Sequence, residues 1–81
     1  MIKTIAVIYG SDSSEWEVSV RSGEFTASQI DGGKYDVYEI FARFGRWSLA
    51  AYRRRGEERV AIPEDERPMV DKSDFSVVLG G

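Results

Sequence analysis

The feature that most constrains the fold is "IKTIAVIY", residues 2–9, apolar almost without a break after Thr4 and closed by Gly10. A strand with one wet face alternates polar and apolar residues. A continuous run instead predicts a strand buried on both faces, as in a parallel sheet. Parallel neighbours cannot be joined by a tight turn, so such a strand calls for a crossover, usually a helix.

The next segment supplies one. Ser11 to Ser14 reads as a polar loop, and a helix is expected to start near Ser14. Ser14 and Glu17 have the spacing of a capping box, in which hydroxyl and carboxylate each satisfy an orphan backbone amide. Trp16, Val20, Gly23, Ala27 and Ile30 recur at helical spacing and form one face, widened by Phe25. Gly32–Gly33 stop the helix. "YDVYEIF", residues 35–41, returns as a strand, completing a βαβ unit whose crossover is expected to be right-handed. Asp36 and Glu39 interrupt that strand, which predicts a place near the sheet edge.

After Phe44–Gly45 the pattern changes. "RWSLAAYR" alternates, with Trp47, Leu49 and Ala51 on one face, and "ERVAI" alternates to match. With Gly56 between them the two read as a hairpin. "PEDERP" is a loop, "DKSD" a turn around Asp71 and Asp74, and "FSVVL" a last short strand before Gly80–Gly81. A chain ending on a turn signal is expected to be part of something longer. The fold class is therefore α/β: a Rossmann-like parallel βαβ start with an added antiparallel hairpin and an incomplete sheet. Its 81 residues make one domain. The unpaired edge of such a sheet makes a homo-oligomer one expected partner state.

Composition removes several function classes. There is no cysteine and no histidine, so disulfides, zinc sites built on those residues and histidine acid–base chemistry are excluded. Eleven basic residues against fourteen acidic give a net charge of −3, which argues against nucleic-acid binding. No apolar stretch is long enough to span a membrane. The start "MIKTIAVIYG" lacks a small-residue cleavage site, so a cytoplasmic location is expected. Arg53, Arg54 and Arg55 read as a solvated hairpin tip pairing locally with Glu57 and Glu58. Arg43 and Arg46 flank Phe41, Phe44 and Trp47, where stacking of guanidinium on rings is the plain account. Trp16 is expected to pack against a neighbouring strand or the hairpin. No set of acids supplies the oxygen ligands a metal needs.

The loop after Gly10 lies past the carboxyl end of the first strand, where open α/β sheets bind ligands. Glu15 and Glu17 sit at the helix start behind it. Acids there are favourable by about 0.3–1 kcal/mol each from the helix dipole alone. Glu17 has a further task in the capping box; Glu15 does not, and is the one expected to face across the loop.

The stretch "GSDSSEWEVSVRSG" resembles the N-terminal signature of D-alanine–D-alanine ligases, Gly-Gly-x-Ser-x-Glu-x-Glu-Val-Ser followed shortly by Ser-Gly. The matching residues are Gly10, Ser13, Glu15, Glu17, Val18, Ser19, Ser22 and Gly23. The likeness continues through the flanking strands and the hairpin and covers essentially the whole chain. The family's second glycine is Ser11 here, which costs energy if that position needs φ > 0.

The resemblance implies the N-terminal (pre-ATP-grasp), substrate-side domain of a larger ATP-grasp ligase. In such enzymes ATP phosphorylates the carboxylate of one D-alanine, and the amine of a second attacks to give the dipeptide used in peptidoglycan. By that resemblance Glu15 is the catalytic-site residue that holds the ammonium of the first D-alanine. Val18 lines the pocket for its methyl, and Gly10 and Ser11 border the site. An ammonium held by a carboxylate is a strong, charge-assisted anchor and a poor nucleophile. Residues 15 and 18 are neighbours on one helix face. ATP and Mg²⁺ belong to domains outside these 81 residues, so the chain alone is expected to be inactive. The partners implied are D-alanine and the remaining ligase domains, with no nucleic acid and no membrane. A different reading of the same loop is a stand-alone Rossmann-like module taking an anion or nucleotide at Gly10–Ser14, without catalysis.

Overall fold

A computed structural model describes residues 3–70. The turn around Asp71 and Asp74, the strand "FSVVL" and Gly80–Gly81 lie outside the described residues. The elements run β1 (Lys3–Tyr9), α1 (Trp16–Gln29), β2 (Tyr35–Arg43), β3 (Arg46–Arg53), β4 (Val60–Ala61) and a 3-10 turn (Glu64–Glu66). They build an α/β fold around a mixed four-stranded sheet of order β1-β2-β3-β4. β1 and β2 are parallel, in register from Lys3–Tyr35 to Tyr9–Phe41. The βαβ start and the antiparallel addition are thus as the hydrophobic pattern requires.

Helix α1 covers one face. Val7, Tyr9, Ala27, Val37 and Ala50 are buried together there, with Ile5, Val20, Ile30, Tyr35 and Phe41 packed around them. Phe25 does not widen this face: it is 66% exposed, because five residues past Val20 the helix has turned it away from the sheet. Gly23 is buried where the helix lies on β1, and a Cβ there would run into the ring and Cβ of Tyr9. This inverts the usual ranking. Alanine is preferred over glycine in a helix by about 1 kcal/mol, yet overpacking costs about 1–3 kcal/mol. Gly23→Ala is therefore expected to destabilise the chain, measured by urea unfolding; a stabilised variant would show that the helix does not lie this close.

Strand β2 is an inner strand, flanked by β1 and β3, and not near the edge as Asp36 and Glu39 suggest. Both acids are tolerated because each has a partner. Asp36 accepts a hydrogen bond from the Arg55 amide at 2.6 Å. Glu39 is gripped by Arg59 through two nitrogens, at 2.7 and 2.9 Å. A buried carboxylate with both oxygens satisfied escapes most of the penalty an orphan would carry.

Two hairpins follow. The expected pairing of "RWSLAAYR" with "ERVAI" is present, reduced to Ala51–Ala61 and Tyr52–Val60. The same strand also pairs with β2 across a tight turn at Phe44 and Gly45, both at positive φ (51° and 73°). Two positive-φ residues give a turn whose twist matches that of the strands. The alternation expected for Trp47, Leu49 and Ala51 breaks at a bulge. Glu39 faces Ala51 but Ile40 faces Leu49, leaving Ala50 as the extra residue. Consecutive Ala50 and Ala51 are both buried as a result. Beyond β4, residues 68–70 come back to β3: the Leu49 amide donates to the Pro68 carbonyl and the Val70 amide to the Trp47 carbonyl. The outer edge of β3 is thereby closed in two pieces. Among the described residues the outer edge of β1 has no strand beside it.

The helix ends earlier than the Gly32–Gly33 pair, with Gln29 its last residue and Ile30 its C-cap. The carbonyl of Ile30 is capped from a distance by Arg53, whose Nη2 donates to it at 2.7 Å. Gly32 leaves room for that guanidinium. Arg53 is therefore not part of a solvated tip, although Arg54 and Arg55 are exposed. Among the described residues Arg53, Arg54 and Arg55 form no ion pair with Glu57 or Glu58; the ion pairs are those of Arg59 with Glu39 and Glu24. Glu39 is the buried acid, and a buried charge left unpaired is costly.

Candidate functional site

The loop from Gly10 to Glu15 is held from three sides. Gly10 is at φ 110°, and a Cβ on it would collide with the Ala42 carbonyl of β2. Glycine is required here for conformation and for space. From α1, the Ser19 hydroxyl accepts a hydrogen bond from the Gly10 amide at 3.0 Å and donates to the Gly10 carbonyl at 3.2 Å. From β2, Arg43 Nε donates to the Ser11 carbonyl at 3.1 Å. From the hairpin turn, the Phe44 amide donates to Asp12 Oδ1. Ser11 itself escapes strain: Phe44 is the only non-glycine residue at positive φ among the described residues.

The helix start differs from the expected capping box. Neither Ser14 nor Glu17 makes a capping hydrogen bond; the N-cap is Glu15, at φ −83°, ψ 8°. The Trp16 amide donates to the Ser13 carbonyl at 3.3 Å, so a turn already encloses Ser14 and Glu15. That turn leaves no extended residue at the position where a capping hydroxyl needs one. Ser13 serves instead, its hydroxyl accepting from the Glu15 amide at 3.2 Å while the Ser13 amide donates to the Ser11 hydroxyl at 3.1 Å.

The four site residues expected from sequence are brought to one end of β1. Gly10 and Ser11 are half-buried in the loop, and Glu15 and Val18 are exposed on the helix start. Val18 is 56% exposed. Among the described residues the Glu15 carboxylate has no hydrogen-bond or ion-pair partner. Three clefts lie on the α1 side, of about 200, 300 and 260 Å³, and none of the four lines any of them. Trp16 packs as expected, edge-on to Phe41 at 6.0 Å, with the Arg43 guanidinium 4.8 Å from its ring centre. The parts that Ser19, Asp12 and Arg43 play in holding the loop are not legible in the sequence. Only Ser19 had a signal, its place in the signature, since the other two act across 32 residues.

Behind the loop lies a partly buried network. Tyr9 donates to Glu39 Oε1 at 3.2 Å, and Arg59 joins Glu39 to Glu24 on α1. Burial, and then the negative charge of Glu39, push the Tyr9 phenol well above its ordinary value. The folded chain thus keeps a proton that an unfolded tyrosine loses near pH 10. The stabilisation is complete below that pH and is lost as pH rises beyond it. Tyr9→Phe is expected to flatten this alkaline loss in unfolding measurements between about pH 9 and 11; an unchanged slope would mean that Tyr9 is not the group responsible.

Fold and loop together define an α/β unit that builds a hydrogen-bonded glycine loop at the end of a parallel strand pair and leaves a carboxylate free beside it. Across almost its whole length, that unit is similar in sequence to the N-terminal fifth of D-alanine–D-alanine ligases. It is 36% identical over 80 residues to the D-alanine–D-alanine ligase of Bacteroides thetaiotaomicron, covering 99% of this chain and 21% of that protein. It is 33% identical over 81 residues to that of Phocaeicola vulgatus, covering 100% and 22%. With that of Streptomyces coelicolor it is 39% identical over 69 residues, covering 84% and 17%. The chain spans about a fifth of the length of these curated relatives. No family model matches the chain. No solved structure matches it either. Among the described residues no helix is long and apolar enough to cross a membrane, and no group of acids could hold a metal ion.

Proposed function

We propose that the chain is the N-terminal, substrate-side part of an ATP-dependent D-alanine–D-alanine ligase acting in peptidoglycan synthesis, and that it contributes to the first D-alanine site. The observation that carries this is how the signature residues divide their work. Gly10, Ser13, Ser19 and Gly23 are spent on the loop and its seat. The Glu15 and Glu17 carboxylates and the Val18 side chain are left facing outward, and of the two acids Glu15, at the N-cap, is the one that adjoins the loop. An anion and a small apolar group one helical turn apart suit a ligand with one ammonium and one methyl.

ATP and Mg²⁺, which this reading requires, supply the activation of the substrate carboxylate and are held by other parts of the protein. The described residues offer no metal-ligating group, so no step through either is assigned to this chain. Its own contribution is to bind and orient: Glu15 keeps the first amine protonated, and so unable to compete with the second as nucleophile.

In the ligase that carries this chain, Glu15→Gln is expected to raise the KM for the first D-alanine about 10- to 100-fold. That is the loss of a charged hydrogen bond worth about 1.5–3 kcal/mol. The KM for the second D-alanine is expected to stay within about twofold. Unchanged kinetics at the first site would sink the assignment. An anion-binding module at Gly10–Ser14 is disfavoured, because the amides of Gly10, Ser13 and Glu15 already donate to the loop's own hydroxyls or to Ser19.

A further inference from the structure

We infer that the tip of the β2–β3 hairpin carries an anion site for a phosphate-bearing small molecule, built by Arg43, Arg46 and Arg67 around Ser48. These four residues line the cleft of about 300 Å³ together with Phe41, Met69 and Glu64. The site shares Arg43 with the seat of the Glu15 loop but takes a ligand of opposite charge, and it stands whether or not the ligase reading holds.

Three observations lead there. The first is the register: Arg43 and Arg46 are direct partners across the hairpin, the last pair before the turn. Like charges placed opposite each other in an antiparallel pair repel, and an anion between them reverses the sign of that contact. The second is that the cations are unspent. Among the described residues no carboxylate forms an ion pair with Arg43, Arg46 or Arg67, the salt bridges there being those of Arg59. Glu64 is the single acid on the lining, against three arginines.

The third is that two of the guanidinium groups are pre-positioned. Arg43 lies 4.8 Å from the Trp16 ring centre and 4.7 Å from that of Phe44, with Nε committed to the Ser11 carbonyl. Arg67 lies over Phe41 at 5.7 Å, with Nε committed to the Ile62 carbonyl. In both, the terminal nitrogens remain as a fixed fork, the geometry that matches phosphate oxygens. The Ser48 hydroxyl adds a neutral donor. The volume exceeds that of a bare phosphate, so the class is a phosphate ester whose organic part rests on Phe41 and Met69.

The test is a titration of the chain with inorganic phosphate at low ionic strength, followed by NMR of the backbone amides and the arginine Nε–H signals. Saturable shifts centred on Arg43, Arg46, Ser48 and Arg67 are expected. Arg46 is exposed and makes no internal polar contact among the described residues, so Arg46→Gln preserves the fold. It is expected to weaken phosphate binding at least about 10-fold, whereas Arg54→Gln on the far loop leaves it unchanged. Linear, unsaturable shifts in the wild-type chain overturn the site. So does equal weakening by the two variants, which would mean diffuse charge attraction. Acetate binding as tightly as phosphate overturns the phosphate assignment.

Discussion

Arg59→Ala is expected to destabilise the chain by about 3 kcal/mol, at the low end of what breaking a buried ion pair costs. The asymmetry of the pair sets that figure. The Glu39 side chain is 3% exposed and that of Arg59 41%. Removing Arg59 leaves a carboxylate on an inner strand with only the Tyr9 hydroxyl, at 3.2 Å, to stabilise it. The water that solvates Arg59 keeps the cost from rising further. Urea unfolding of the variant measures the loss directly. The triple variant Tyr9→Phe, Glu39→Leu, Arg59→Met, which also removes the hydroxyl that Glu39 accepts from, is expected to recover most of it, since an apolar cluster of similar volume is often as stable as the ion pair. A loss below about 1 kcal/mol in the single variant would mean that Glu39 is relaxed by water and that the clamp contributes little. Because Arg59 also reaches Glu24 at 3.3 Å, the variant is expected to loosen the hold of the β3–β4 loop on helix α1 as well.

Gly10→Ala is expected to have a comparable effect on stability and a larger one on the loop. A non-glycine residue at φ 110° costs about 1–3 kcal/mol in backbone strain. Collision with the Ala42 carbonyl adds an overpacking term of about the same size. The backbone can relieve both only by moving away from β2. That movement breaks the pair of hydrogen bonds between Gly10 and Ser19 and the hold of Arg43 on Ser11. Faster amide exchange at Gly10 and Ser13, accompanied by a fall in the unfolding midpoint, is the expected signature. Ser11→Gly, by contrast, is expected to change stability by less than about 1 kcal/mol, because Ser11 does not occupy the left-handed region. A tolerated Gly10→Ala would show that the loop is not seated on β2 as described.

What the sequence by itself determined is whatever depends on local pattern. The apolar run before Gly10 required a parallel strand, and the 3.6-residue spacing of Val20, Gly23 and Ala27 required a helix lying on it. The signature residues marked the loop between them. Each of these follows from periodicity or from one residue's conformational demand, and both are written along the chain. What only the tertiary structure decided are the contacts made across many residues. Asp36 and Glu39 suggest an edge strand until Arg55 and Arg59, some twenty positions later, turn out to answer them. Ser14 and Glu17 have the spacing of a cap until the loop, held down by Ser19 and Arg43, starts the turn at Ser13. The strand alternation around Leu49 holds until one extra residue, Ala50, is placed opposite β2. The reason is common to all three. A polar side chain's partner, and a strand's register, are chosen by what the fold brings within about 3 Å, and spacing along the sequence carries no information about that distance.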